Sequence, residues 1–213
     1  MLRWLALRVQ NIVDQGGYWK PATTLVNRNI CFLQANGSTL KVEATLNVDV
    51  DVMGIAAQGK NLVVSYGHPG VKIISKEGAM IENLDNATAG EEVFEKPRWI
   101  TTAIDDSIYV TDWGTHKVIR LDSRLTILQT FSGPMPNAPC GIIALNRDQL
   151  LVCSFHNNSI VLIRPSLDNK KVILETQHGI EKPYSICYCR EKRFFTLRKM
   201  ETRFVSISCP NYI

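Results

Sequence analysis

The segment from Lys96 to Phe131, KPRWITTAIDDSIYVTDWGTHKVIRLDSRLTILQTF, reads as four short apolar runs separated by turn-forming residues: Trp99 to Ile104, Ile108 to Thr111, Lys117 to Leu121 and Thr126 to Phe131. Runs of this length and composition predict β-strands, designated a to d. The pattern then recurs. Pro139, Ile142, Val152 and Ile160 follow Pro97, Ile100, Val110 and Val118 at a constant spacing of 42 residues. Pro183 lies 44 residues beyond Pro139, and Ile55 lies 45 residues before Ile100. A shorter copy opens at Lys20-Pro21, with ICFLQANGSTLKVEAT as its b and c strands around an Asn36-Gly37 turn.

A period in this range points to an array of supersecondary units, because one small twisted sheet cannot cover both of its faces. Four strands per unit predict radial packing, in which each sheet is covered by two neighbours and only short edges stay open. The expectation is an all-β fold, a β-propeller of four-stranded antiparallel blades, forming one domain over residues 1–213. Five modules are read, at about 20–52, 53–95, 96–138, 139–181 and 182–213. The last has room for strands a, b and c but not d. The apolar stretch LRWLALRV within residues 1–19 is expected to close that C-terminal blade.

The totals exclude several classes. At 45% hydrophobic and 21% charged, the composition is that of a globular domain, and no low-complexity tract suggests a linker. A net charge of +4 is too small to identify a nucleic-acid binder, although its sign permits an anionic partner. Arg3 and Arg8 interrupt the N-terminal apolar run, so no signal peptide is read. No stretch approaches the ~20 apolar residues of a membrane span, and no membrane association is expected. Cys31, Cys140, Cys153, Cys187, Cys189 and Cys209 lie mostly within strand-like runs, without the paired spacing of a zinc site. They read as reduced thiols in a cytoplasmic protein. Glycosylation-type triplets at Asn36, Asn86 and Asn157 point weakly the other way.

The central module, with Pro97, a short apolar strand, IYVTD, a turn containing His116 and then KVIRLD, resembles an NHL repeat. The neighbouring module departs from it: Val152-Cys153-Ser154 stands in place of VTD, and Asn157-Asn158-Ser159 in place of the Gly-and-His turn. The resemblance implies a propeller like that of tripartite-motif (TRIM-NHL) proteins, in which it serves as a recognition platform for protein or RNA within a ubiquitin ligase. IYVTDWGT at Ile108–Thr115 is also similar to the YWTD repeat of secreted receptor propellers, with Val110 where that motif has Trp.

Three b–c loops look alike: Tyr66-Gly67-His68, Trp113-Gly114-Thr115-His116 and Phe155-His156, each an aromatic followed within three positions by a histidine. Around a propeller axis such loops would share one rim. Lys117 and Lys72 adjoin them, Lys96 and Arg98 sit on the preceding d–a connection, and the last module adds Tyr184 and Arg198. Aromatics interleaved with Lys and Arg suit single-stranded RNA, because every base offers a π-face and every phosphate a charge. The expected partner is therefore a protein or single-stranded RNA, with no cofactor and no catalytic or metal-binding residue assigned. The competing structural reading is that these aromatics wedge between blades and the histidines cap backbone groups. An enzymatic alternative, a metal-dependent lyase or lactonase, would need His68, His116 and His156 or a set of carboxylates to converge on the channel. The a strands WITTAI, GIIAL and SICYC carry almost none of the latter.

Overall fold

The computed structural model describes residues 7–8, 20–24, 28–36, 39–189, 194–199 and 204–208. The chain divides into two compact units, Met1–Pro97 and Arg98–Ile213. The division falls between modules, at the strand that opens the third.

The first unit carries two antiparallel sheets. One runs β1 (Leu7–Arg8), β2 (Lys20–Thr24), β3 (Asn29–Asn36) and β4 (Thr39–Asn47), and the other β5 (Val52–Gln58), β6 (Asn61–Tyr66), β7 (Gly70–Ile74) and β8 (Met80–Asp85). Ile30 and Phe32 of β3 are buried against Val52 and Ile55 of β5, Leu62 and Val64 of β6, and Ile74 of β7. After β8 a single helical turn, Asn86–Ala89, is capped by Asp85, which accepts from the Thr88 N–H at 2.7 Å. The side chain of Asn86 holds the following loop: its Oδ1 accepts from Val93 and Phe94 N–H, and its Nδ2 donates to the Phe94 carbonyl.

The described residues of the second unit form three sheets. They are β9 (Pro97–Thr102) to β12 (Ile127–Phe131) through β10 (Ile108–Asp112) and β11 (Lys117–Leu121); β13 (Pro139–Asn146), β14 (Gln149–Ser154), β15 (Ser159–Arg164) and β16 (Asn169–Leu174); and β17 (Pro183–Cys189), β18 (Phe194–Lys199) and β19 (Phe204–Ser208). Inner strands are apolar on both sides because neighbouring sheets cover both faces. Every residue of β10 is buried, as are Leu150, Leu151, Val152 and Cys153 of β14. Fourth strands do the opposite: Ile127 and Leu128 of β12 are exposed. Gly141 lets β13 approach the last sheet, since a Cβ there would stand 2.7 Å from Ser185 Cα.

Two sequence expectations need correction. Leu7–Arg8 does not complete the C-terminal sheet: it pairs with Thr23–Thr24 of β2, at the edge of the first. Consequently Lys20-Pro21 opens the second strand of its sheet, and β3 and β4, paired through Asn36 and Thr39, are its third and fourth. The contacts agree, because β2 runs beside β5 just as β10 runs beside β13 and β14 beside β17. Lys-Pro opens an inner strand at residues 96–97 and 182–183. Proline's missing donor is equally tolerable at the start of any strand, so the dipeptide alone does not number it.

Candidate functional site

Two b–c connections of the second unit are built alike. In its first sheet Asp112 pairs with Lys117 across a four-residue loop, and in its second Ser154 pairs with Ser159 across another. Each loop ends in a left-handed residue, His116 (φ 58°) and Asn158 (φ 49°), residue types that adopt this region more readily than most. Asp112 Oδ1 accepts from the N–H groups of Gly114 (2.9 Å) and Thr115 (3.1 Å), which folds the turn locally.

These terminal residues join successive sheets. The Ala138 N–H donates to His116 Nδ1 at 3.0 Å, and the Lys182 N–H donates to Asn158 Oδ1 at 2.8 Å. In both cases the donor precedes the proline that opens the next sheet, and it is itself left-handed. One clasp is thus made twice, by imidazole in one place and by carboxamide in the other. Asn137 is held as well: its N–H donates to Ser154 Oγ (2.8 Å), and its carbonyl accepts from the His156 N–H (3.3 Å).

Around the first clasp several of the expected residues meet. Trp113 meets Phe155 at 5.0 Å between ring centroids and His156 edge-on at 5.6 Å, and His116 and His156 lie 6.2 Å apart. The Arg98 guanidinium stands over Trp113 at 5.6 Å and over Trp99 at 5.9 Å, within cation–π range. Tyr184, from the last sheet, meets Trp99 edge-on at 4.9 Å. Phe155 and Trp99 are buried, Arg98, Trp113, Lys117 and Tyr184 are partly buried, and His116 and His156 are exposed. The backbone of Arg198 lies in β18, but its side chain is outside the described residues. Trp99 and Asn137 complete the cluster: in the sequence Trp99 is indistinguishable from plain strand core, and no periodic signal marks Asn137.

The first unit's loop differs. Tyr66 pairs with Gly70 across only three residues, so it occupies the strand position of Asp112 and Ser154, not that of Trp113 and Phe155. It is buried, and its hydroxyl donates to Asn83 Oδ1 at 2.7 Å, with Asp85 Oδ2 at 3.3 Å. Burial first, and then the Asp85 charge, push the phenol up to about 12. Gly70 is required here, because a Cβ would stand 2.4 Å from the Tyr66 hydroxyl oxygen. Lys72 lies 4.8 Å over the Tyr66 ring and 3.7 Å from Asp49 Oδ2. His68 is exposed in the loop beside it.

Among the described residues no group of three or more His, Cys, Asp or Glu side chains gathers to hold a metal ion. Among the described residues Cys31, Cys140, Cys153 and Cys187 form no disulfide, and burial pushes the Cys153 thiol up. No described helix is long and apolar enough to cross a membrane.

No family model and no curated protein matches the sequence. Solved structures do resemble it. Virginiamycin B lyase from Staphylococcus aureus superposes with a TM-score of 0.61 at 16% identity over 89% of this chain, which spans 66% of the lyase. The nidogen/laminin complex gives 0.66 at 13% identity, covering 85% of this chain and 75% of that one. U3-55K gives 0.69 at 10% identity, with 89% and 57% coverage. At such identities the likeness establishes the fold, a β-propeller of four-stranded blades.

Proposed function

We propose that this chain is a recognition propeller whose b–c loops in the second unit hold a protein partner. The observation that carries this reading is the preassembled cluster of Trp113, Phe155, His156, His116 and Arg98. Tryptophan and arginine held in place by their neighbours are the residues that most often dominate protein interfaces, because little side-chain entropy remains to be lost on binding. The same packing argues against single-stranded RNA. Base stacking needs an open aromatic face, whereas Trp113 already has Arg98 over its ring and Phe155 and His156 against it. The nidogen/laminin complex, an assembly of proteins, is in keeping with such a role.

The finer assignment, an NHL-type propeller serving substrate recognition in a tripartite-motif ubiquitin ligase, is supported by the residue pattern of Lys96–Phe131. A cytoplasmic location is part of the same proposal and is supported by cysteines that form no disulfide. The enzymatic alternative rests on the likeness to virginiamycin B lyase.

Affinity capture with wild type, Trp113→Ala and Arg98→Ala, recovering protein and RNA separately, tests the reading. A protein retained by wild type and lost with both variants is expected. Recovery dominated by RNA, or a protein equally retained by all three, would overturn it.

A further inference from the structure

The two exposed imidazoles at the clasp have different partners, and those partners fix different tautomers. His116 Nδ1 accepts from the Ala138 N–H, so in the neutral ring the proton is on Nε2. His156 Nδ1 faces the Asn137 carbonyl oxygen Oδ1 at 3.2 Å, so there Nδ1 carries the proton and Nε2 keeps its lone pair. No described residue occupies either Nε2 atom. The two exposed residues hold their rings 6.2 Å apart, beside the partly buried Trp113.

We infer that this histidine pair is a binding site for an uncharged primary carboxamide, the side chain of Asn or Gln in the protein partner. His116 Nε2–H donates to the amide oxygen, and the amide N–H donates to His156 Nε2. A carboxamide carries its acceptor and donor at one end and can satisfy both nitrogens from the same side, whereas a trans peptide group points its C=O and N–H in opposite directions. A carboxylate has no donor to offer the neutral His156 ring. The inference rests on the recognition reading above and deepens it.

The experiment has two readouts. Long-range proton–nitrogen NMR spectra should show the Nε2–H tautomer at His116 and the Nδ1–H tautomer at His156. Titration with propionamide should then shift both imidazoles and the Trp113 indole, while 2-butanone, which only accepts, leaves His156 unmoved. Each of His116→Asn, which keeps the clasp in the manner of Asn158, and His156→Ala should weaken propionamide binding about fivefold, the worth of one neutral hydrogen bond. The same tautomer at both rings, an equal response to both probes, or affinity unchanged in both variants overturns the assignment. So does tighter binding of uridine, whose base edge carries the same pair of groups and would indicate nucleic acid. If Trp113→Ala abolishes partner capture while His116→Asn and His156→Ala leave it intact, the recognition role stands and the carboxamide site falls.

Discussion

His116 performs two tasks with its two nitrogens, and only one of them concerns stability. Its Nδ1 satisfies the N–H of Ala138, a residue with no solvent exposure. His116→Ala would leave that donor unpaired, at a cost of about 1–3 kcal/mol. His116→Asn should recover most of the loss, since Asn158 makes the same bond from the equivalent loop position. Urea denaturation of the three proteins measures the difference. Asp85 provides a second test at this scale. The Thr88 backbone N–H, then Asn83, lower its carboxyl from the ordinary 3.8 to about 2. A group depressed on folding stabilises above its unfolded value, so this contribution is complete above about pH 4 and is lost as the pH falls towards 2. Asp85→Asn keeps an acceptor for the cap but has no proton to gain, and it should flatten the acid limb of stability across that window in pH-dependent thermal melts.

Among the elements, a close approach between sheets is made through Gly141, whose missing Cβ leaves room for the backbone at Ser185 and Ile186. Gly141→Ala should force these strands apart and cost about 1–3 kcal/mol in denaturant midpoint measurements. Gly67→Ala, where a new Cβ meets nothing closer than Asp51 Cβ at 3.9 Å, serves as the control and should stay within about 0.5 kcal/mol. Element order also shows where sequence reading succeeds. The inner strands β9 to β11 and β13 to β15 follow from the spacing of their apolar runs, since a run buried on both sides must be continuous and its turns must be polar. The first sheet was misnumbered by one strand because Leu7–Arg8 is only two residues long and displays no periodicity. Tyr66 was misaligned for a related reason. A loop shortened from four residues to three moves an aromatic out of the turn and into the strand, and only the pairing with Gly70 reveals it.

For the molecule as a whole, a charge of +4 and a cluster built on one stacked arginine predict modest electrostatics. Partner affinity should change less than about tenfold between 50 and 200 mM salt, whereas a ligand gripped by six to ten phosphate contacts would lose about 10³–10⁵. Isothermal calorimetry at several salt concentrations separates these cases. What the sequence determined by itself is the repeat and its consequences: the strand content, the four-strand sheets and the loops carrying Trp113, His116, Phe155 and His156, because period and hydrophobicity are local properties. What only the tertiary structure decided is which of these side chains meet. Arg98 and Trp99 of β9 and the loop residues Trp113, Asn137 and His156 come from four separate stretches of the chain, and their contacts depend on how one sheet is rotated against the next. That rotation is set by side-chain packing between sheets and leaves no mark on the spacing of residues along the chain.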